Sequence, residues 1–383
     1  ELLTIERREV QAKDIEIDIY YCGVCHSDLH TARNDWGGTV YPAVPGHEIV
    51  GKILKVGNEV SKFKVGDLVA VGCMVDSCRT CKSCEQDLEQ FCENGFTGTY
   101  NGKDKYFEDT RTFGGYADSV IVDEHFVLRL PENLDMAAAA PLLCAGITTW
   151  SPLKHWNVTE TSKVAVVGLG GLGHMAIKLA KGLGAEVTLF SRTPGKTEDA
   201  KALGTDHVII STDEDQIKSV LNKFDLIIDT VPYEHDINPY MNTLTVNGTL
   251  VLVGFIGDFE SAVSTKPMIY KRRSVAGSLI GGIKETQEML DFCGEKNIVS
   301  DIEIIKMQDI NEAYERMLKS DVKYRFVIDM KSLILKKIKK GNTKLCFPFL
   351  FFDCDYLQDF SLKKLGLKIN NLQFMGTHWA SFF

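Results

Sequence analysis

Residues 164–173 read VAVVGLGGLG, a short apolar run that passes directly into a glycine-rich turn. The residues that follow place Ala176, Ile177 and Leu179 at helical spacing. A strand, a Gly-x-Gly-x-x-Gly turn and a helix in this order allow the helix amino terminus to face a pyrophosphate. The segment therefore predicts dinucleotide binding by the turn residues Gly168, Gly170, Gly171 and Gly173.

Apolar runs on both sides of this turn extend the prediction to the rest of the chain. Further runs at 186–190, 207–209, 226–228 and 250–253 alternate with helical stretches, as in a parallel sheet covered on both faces. Residues 1–125 instead contain short β-branched runs broken by glycine, which predict a β-rich domain. The predicted fold class is α/β, with a β-rich domain beside a doubly wound Rossmann sheet.

Two groups of metal-ligating residues precede the glycine turn. The first has the spacing C-x2-C-x2-C-x7-C, and four thiolates in a tetrahedral cage suit a structural zinc ion. Its members are Cys78, Cys81, Cys84 and Cys92. The second group, Cys25, His47 and Cys144, comes from distant segments, and such a mixed set suits a catalytic zinc that keeps one position open.

Composition narrows the class of partner. The 383 residues are 44% hydrophobic and 25% charged, as in a soluble globular protein, with a net charge of −9 that disfavours nucleic acid and acidic membranes. No apolar run reaches the roughly 20 residues that span a bilayer. The eleven cysteines have metal-like spacings, which favours a reducing cytoplasm over a disulfide framework. We therefore expect a cytoplasmic protein that acts on a small molecule.

The loop after Phe190 bears on the choice of dinucleotide. Folds that use NAD usually place a carboxylate there to hold the ribose hydroxyls. This chain has Ser191, Arg192 and Lys196 instead, which could pair with a 2′-phosphate. The pattern favours NADP(H); the alternative is a solvated basic loop.

From residue 1 to about 330 the chain resembles the zinc-dependent medium-chain alcohol dehydrogenases, in particular their cinnamyl-alcohol-dehydrogenase-like branch. The resemblance rests on CGVCHSDLH at 22–30, PGHE at 45–48, the four-cysteine lobe and APLLCAG at 140–146. It implies a GroES-like catalytic domain in two parts, 1–144 and 283–330, with a zinc lobe at 73–95. Residues 145–282 would form the Rossmann domain, and 331–383 an atypical extension. A homodimer with two zinc ions per chain is also implied.

Carried onto this sequence, the resemblance assigns the catalytic zinc to Cys25, His47 and Cys144. Glu48 would be a possible exchange ligand. Asp28 matches the carboxylate that orients the metal-bound histidine.

A proton relay is implied in the same way, from Ser27 at the substrate oxygen through the nicotinamide ribose to His30 and then Asp35. An exposed loop aspartate is the alternative reading of Asp35. Thr148 matches a nicotinamide contact. Trp36 would line the substrate pocket, with core packing as its alternative.

Several other residues are expected to be structural. Cys22 and Cys73 are interpreted as core residues and Cys293 as a buried helix position, whereas His174 could touch the cofactor or cap a helix. Residues 331–383 are rich in lysine and phenylalanine without arginine or glutamate, and we expect a non-native extension rather than a membrane or partner anchor. An opening strand is expected to be missing before residue 1.

The expected activity is reversible reduction of aromatic or medium-chain aldehydes to alcohols with NADPH. One competing hypothesis is an NAD-dependent alcohol or polyol dehydrogenase. Another is a non-catalytic protein that binds zinc and NADPH.

Overall fold

Strands and helices occupy most of the chain in the computed structural model, which describes residues 3–106, 111–254, 257, 259, 261–333 and the backbone of 343–346. The strands are β1 (Leu3–Glu6), β2 (Asp14–Val24), β3 (Ile49–Val56), β4 (Leu68–Val71), β5 (Met74–Asp76), β6 (Thr97–Gly98), β7 (Ser119–Asp123), β8 (Leu128–Arg129), β9 (Lys163–Val167), β10 (Glu186–Ser191), β11 (His207–Ile210), β12 (Phe224–Asp229), β13 (Leu244–Leu252), β14 (Ser274–Gly277), β15 (Ile302–Lys306), β16 (Arg325–Asp329) and β17 (Thr343–Cys346). The helices are α1 (His26–Arg33), α2 (Lys82–Glu85), α3 (Met136–Ala139), α4 (Ala145–His155), α5 (Gly171–Gly182), α6 (Thr197–Ala202), α7 (Glu214–Ser219), α8 (Asn238–Thr243), α9 (Thr265–Lys271), α10 (Ile283–Lys296) and α11 (Ile310–Leu318).

The predicted parallel sheet has six strands in the order β11-β10-β9-β12-β13-β14. Every neighbouring pair in it is parallel. This is the Rossmann order, in which ligands bind outside the carboxyl ends of the strands where the order reverses, here between β9 and β12. Sequence reasoning missed β14, because this edge strand is short and its side chains are only half buried or exposed.

The second large sheet has the order β15-β16-β2-β3-β4-β8, and β7 also pairs with β2. Along β2 the side chains of Ile15, Ile17 and Ile19 are fully buried, with period-two alternation over this stretch. Because β2 pairs with β16 on one side and β3 on the other, the carboxyl end of β2 is fixed in the sheet. That end leads directly into Cys25.

The carboxy-terminal segment returns to this second sheet. Strand β16 pairs antiparallel with β2, with Phe326 opposite Val24 and Ile328 opposite Cys22. The return itself agrees with the split catalytic domain that the resemblance implies. The boundaries at residues 144, 282 and 330 stay a prediction.

A break between two helical segments positions Cys144. The Asp135 carboxylate accepts the Ala138 N–H at 2.8 Å and so caps α3, as the sequence predicts. A tight turn at 140–143, with Pro141 near its start, then separates α3 from α4. Cys144 is the residue that precedes α4, so its side chain is fixed where the chain changes direction.

Among the described residues, no single helix is long and apolar enough to cross a membrane, although the bent pair 136–143 and 145–155 meets the length and composition criteria together. Strand β17 pairs antiparallel with β1. The remainder of the predicted extension, at 334–342 and 347–383, lies outside the described residues.

Candidate metal and nucleotide sites

The mixed group predicted as a catalytic zinc site comes together in the fold. Ligand atoms of Cys25, His47, Glu48 and Cys144 all lie within 4.8 Å of one another, and all four residues are buried. The two sulfur atoms are 3.8 Å apart. Cys25 precedes α1, His47 and Glu48 lead into β3, and Cys144 precedes α4. Two thiols and an imidazole are the donor set that a catalytic zinc ion takes, so these residues fit the metal.

A buried carboxylate orients the imidazole of this group. Asp28 Oδ1 lies 3.3 Å from His47 Nδ1, which leaves Nε2 as the nitrogen available to a metal. Asp28 lies in the first turn of α1, three residues after Cys25, and its Oδ2 accepts the Cys25 N–H at 2.8 Å. One carboxylate therefore positions two of the proposed ligands.

An arginine from the returning segment pairs with Glu48. Arg325, the first residue of β16, donates to Glu48 Oε1 inside the protein, and both side chains are almost fully buried. Burial raises the pKa of Glu48 to about 7, against the opposing charge of Arg325. The pair is packed tightly, because a Cβ at Gly23 would lie 1.8 Å from Glu48 Oε2.

Arg325 also reaches the nucleotide turn. A Cβ at Gly171 would lie 2.8 Å from Arg325 Cδ, so the arginine stem passes directly beside the start of α5. One side chain therefore contacts both the metal group and the glycine turn. The sequence patterns did not identify Arg325 as a functional residue. The only feature that could have indicated it is a cation at the start of the apolar run RFVI at 325–328.

The predicted relay residues form two local contacts. Ser27 Oγ lies 3.6 Å from Cys25 Sγ, at the edge of the metal group. His30 Nδ1 is 2.8 Å from Asp35 Oδ2, and the His30 ring stacks on Trp36 with centroids 4.8 Å apart. Trp36 is 50% exposed. The structure thus joins His30 with Asp35 and Trp36, and the roles of these residues stay predictions.

The four-cysteine group also converges. The ligand atoms of Cys78, Cys81, Cys84 and Cys92 lie within 4.8 Å of one another. Backbone N–H groups point at the sulfur atoms: Cys81 N–H donates to Cys78 Sγ at 3.3 Å, and Glu93 N–H donates to Cys81 Sγ at 3.4 Å. Hydrogen bonds led by the Thr80 N–H lower the pKa of Cys78 to about 5. The group therefore fits a structural zinc ion bound by four thiolates.

A buried glutamate joins this zinc lobe to the rest of the protein. Glu89 Oε1 lies 3.0 Å from His125 Nε2, and its Oε2 accepts the Ile283 N–H at the start of α10. Burial acts to raise the pKa of Glu89, but the His125 and backbone contacts lower it overall. The fit requires glycine at 282, where a Cβ would lie 1.9 Å from the Asp87 carbonyl oxygen.

The glycine turn has the shape that a pyrophosphate needs. Gly168 has φ +90°, and a Cβ at Gly173 would lie 2.1 Å from the Gly168 carbonyl oxygen. These two positions therefore require glycine. A Cβ at Gly170 would meet nothing within 4 Å, so the amino terminus of α5 faces open space. This arrangement fits a dinucleotide.

Three residues are predicted to contact a 2′-phosphate, and among the described residues only one of them has a side chain without a hydrogen-bond partner. Ser191 Oγ donates to the Thr193 carbonyl at 2.8 Å, and Lys196 Nζ donates to the Leu169 carbonyl at 2.9 Å. Burial lowers the pKa of Lys196. Within the described parts of the chain, no hydrogen bond or ion pair engages the exposed Arg192 guanidinium. Arg192 is therefore the free cation of this loop.

The remaining sequence candidates lie near these sites in different roles. Thr148 is buried on α4, one turn after Cys144, and its N–H donates to the Cys144 carbonyl at 2.9 Å. Cys22 and Cys293 are buried, whereas Cys73 contacts the Leu143 carbonyl at 3.6 Å. A cavity of about 310 Å³ lies between β1 and β7, and none of its described lining residues belongs to either ligand group.

His174 joins α5 to the returning segment. Its Nε2 lies 2.9 Å from Ser300 Oγ, its Nδ1 lies 3.3 Å from the Gly170 carbonyl oxygen, and its ring stacks on Tyr324. Burial, with smaller contributions from the charges of Lys178 and Arg325, lowers the pKa of His174 to about 3. The histidine is therefore neutral in the folded protein.

This burial predicts a pH dependence of stability. The unfolded chain takes up the His174 proton below about pH 6.5 and the folded chain only near pH 3, so stability is lost as pH falls through that window. The expected slope is about 1.4 kcal/mol per pH unit. Urea unfolding of wild type and His174→Gln between pH 7.5 and 5 measures it. As pH falls, the free energy of unfolding should decrease more steeply for wild type than for His174→Gln. Parallel curves would contradict the lowered pKa of His174.

Sequence comparisons agree with this geometry. The profile of the alcohol dehydrogenase GroES-like domain matches residues 11–132, and that of the zinc-binding dehydrogenases matches residues 171–295. The aldehyde reductase YahK of Escherichia coli is 52% identical over 334 residues, which are 87% of this chain and 95% of the reductase. The chain belongs to the zinc-binding alcohol dehydrogenase family.

Two further relatives support the same assignment. The NADP-dependent alcohol dehydrogenase C 1 of Mycolicibacterium smegmatis is 51% identical over 331 residues, covering 86% of this chain and 94% of the relative. A cinnamyl alcohol dehydrogenase structure from Sorghum bicolor superposes with a TM-score of 0.82 at 42% identity, covering 87% and 95% of the two chains. The predicted family, fold class and oxidoreductase class are confirmed.

Proposed function

We propose that this zinc-binding alcohol dehydrogenase reversibly reduces aromatic or medium-chain aldehydes with NADPH as hydride donor. The observation that carries the proposal is a buried Cys25, His47 and Cys144 group joined through Arg325 to an open glycine turn. Each half supplies one requirement of the reaction, namely a Lewis-acid site and a dinucleotide site. The NADP-dependent Mycolicibacterium relative adds support for the cofactor.

Cys25, His47 and Cys144 would hold the catalytic zinc, and the four-cysteine lobe would hold a second, structural zinc. A zinc ion bound by the first group supplies a Lewis acid that polarises a carbonyl or lowers the pKa of an alcohol. The Glu48 carboxylate lies in the same cluster, but Arg325 pairs with it. We therefore assign Glu48 to support of the site, with exchange into the ligand set as its further predicted role.

Ser27 and His30 would carry the proton. Ser27 Oγ, beside Cys25, is placed to donate to or accept from the substrate oxygen. His30 lies three residues later on the same face of α1 and is partly exposed, so it can exchange a proton with water. Asp35 Oδ2 lies 2.8 Å from His30 Nδ1 and would orient the ring. The gap between Ser27 and His30 is where the sequence resemblance places the nicotinamide ribose.

The nucleotide would lie along the carboxyl ends of β9 and β10. The α5 amino terminus would hold the pyrophosphate, Arg192 would pair with the 2′-phosphate, and Thr148 would contact the nicotinamide. Ser191 and Lys196 would contact the same phosphate, and their hydrogen bonds to backbone carbonyls hold the loop in place. Trp36 and the likeness to the sorghum cinnamyl alcohol dehydrogenase favour an apolar or aromatic substrate.

We further propose a cytoplasmic homodimer that pairs through β14. This strand pairs with β13 on one side, and its outer edge has no partner among the described strands. Ile269 and Tyr270 on the preceding helix are 76% and 77% exposed. Large apolar side chains beside an open strand edge favour strand pairing with a second copy. No disulfide joins the nine cysteines whose side chains the structure describes, which agrees with a reducing compartment. Sedimentation equilibrium measures the dimer, and a monomer at micromolar concentration would refute it.

The proposed activity is tested by zinc content together with initial rates on cinnamaldehyde, using NADPH and NADH in parallel. We expect about two zinc ions per chain and faster reduction with NADPH. Faster turnover of a polyol with NAD would instead favour the competing enzyme hypothesis. Two bound zinc ions without turnover of either substrate class would favour the non-catalytic hypothesis.

Replacement of Arg192 tests the nucleotide loop. Arg192→Glu should raise KM for NADPH by about 10- to 100-fold, because a carboxylate would face the 2′-phosphate, and should change KM for NADH little. The matched control is Arg129→Glu, an exposed arginine on β8 in the other large sheet. An unchanged ratio of the two KM values in the Arg192 variant would show that this loop does not read the phosphate.

A further inference from the structure

The buried Asp28 carboxylate accepts more than the two contacts to Cys25 and His47. Its Oδ1 also accepts the Gly46 N–H at 2.9 Å, and its Oδ2 also accepts the Tyr116 hydroxyl at 3.1 Å. Each oxygen therefore has two partners, which uses about all the lone pairs that a carboxylate offers. Three of these partners belong to the ligand segments themselves. Tyr116 is the exception, since it lies in the segment just before β7.

The segment that carries Tyr116 is fastened to the segment before His47. Gly115 N–H donates to the Gly46 carbonyl at 2.8 Å, and Tyr116 N–H donates to the Pro45 carbonyl at 3.0 Å. The tyrosine ring packs directly on Gly46, where a Cβ would lie 2.7 Å from Tyr116 Cδ1 and where φ is +102°. The ring and its hydroxyl are therefore held in one place, against the residue next to a metal ligand.

We propose that Tyr116 is a positioning residue for the catalytic metal site and acts through Asp28. The inference rests on the proposed zinc ligation by Cys25, His47 and Cys144. By donating to Oδ2, the tyrosine hydroxyl fixes the rotation of the carboxylate. The rotation in turn fixes the direction of the Oδ1 contact to His47 and of the Oδ2 contact to the Cys25 backbone.

The environment keeps the Tyr116 hydroxyl a donor. Tyr116 is fully buried, and burial together with the Asp28 charge holds the pKa of Tyr116 well above its ordinary value. The hydroxyl therefore stays protonated at any working pH. Its loss would leave the buried Asp28 oxygen with one donor fewer, in a place that water does not fill freely.

Tyr116→Phe removes only the hydroxyl and keeps the ring packed on Gly46, so we expect this variant to fold. Its control is Tyr240→Phe, a buried tyrosine of the nucleotide-binding domain that loses the same atom. Zinc release to a chromogenic chelator should show two ions in each protein. In Tyr116→Phe the catalytic ion should bind about tenfold more weakly, at the lower end of the effect of residues that support metal ligands.

Two further readouts separate positioning from a purely structural role. Cobalt substituted at the catalytic site should show shifted d–d absorption bands in Tyr116→Phe but not in Tyr240→Phe. Asp28→Asn and the double variant complete a cycle, in which the effect of Tyr116→Phe on metal affinity should largely vanish once Asp28 is changed.

The possible results are distinct. Weaker binding of one zinc with a shifted cobalt spectrum and a non-additive cycle supports the inference. Unchanged affinity and spectrum, or additive effects, overturns it even if Tyr116→Phe is less stable. A wild-type protein that binds fewer than two zinc ions would overturn the proposed ligand set itself, and the inference with it.

Discussion

Cys144→Ser is expected to lower kcat/KM for aldehyde reduction by about 10³-fold while the protein stays folded. Cys144 supplies one of the two sulfur atoms of the proposed catalytic site, 3.8 Å from Cys25 Sγ. A serine hydroxyl is a poor zinc ligand and sits on a shorter bond. Several kcal/mol of charge stabilisation by the metal correspond to a rate loss of about this size.

The protein should stay folded because the substitution does not disturb the backbone at this position. Cys144 lies at the bend between the 140–143 turn and α4, where serine fits the same backbone. The control is Cys293→Ser, an equally buried thiol on α10 that contacts Met289. Zinc content should fall from two to about one in the first variant and stay at two in the control. Full activity in Cys144→Ser would remove this residue from the site.

The convergence of the four-cysteine group was predictable because its information is local. Thiolates at C-x2-C-x2-C-x7-C spacing are within reach of one ion whatever surrounds them, and the structure brings all four together. The strand–turn–helix unit at 163–182 was predictable for the same reason, since its glycines are demanded by backbone geometry within ten residues. Family resemblance supplied Cys144, which lies 97 residues from His47 and has no local signal of its own.

What the sequence could not predict depends on distant segments meeting in the fold. Arg325 reaches Glu48, 277 residues away in sequence, only because β16 returns to pair with β2. Tyr116 reaches Asp28 only because 114–116 packs along 44–46. Lys196 shows a contact of the same kind: its ammonium donates to the Leu169 carbonyl, a partner that its charge alone does not predict, and its phosphate contact stays a prediction. The residue type determines which interactions a side chain can make, and the tertiary structure determines which partner it contacts.

Arg325→Met should lower the free energy of unfolding by about 3–5 kcal/mol, a large effect for a residue outside the ligand sets. Methionine keeps most of the arginine stem that packs beside Gly171. It removes the charge that pairs with Glu48, and the glutamate is then left buried without its partner. Breaking such a pair costs more than the pair contributes, because the buried glutamate must then either keep an unpaired charge or take up a proton.

The companion variant separates charge from packing. Arg325→Met combined with Glu48→Gln removes both charges, so it should recover about half of the lost stability or more. Urea unfolding of the zinc-loaded proteins, followed by circular dichroism, measures all three variants against wild type. If the double variant is no more stable than Arg325→Met, packing of the arginine rather than the buried charge holds this contact. If Arg325→Met is as stable as wild type, the ion pair between Arg325 and Glu48 contributes little to the stability of the fold. In that case the closeness of the two sites must be maintained by the β16–β2 pairing and by the His174–Ser300 contact instead.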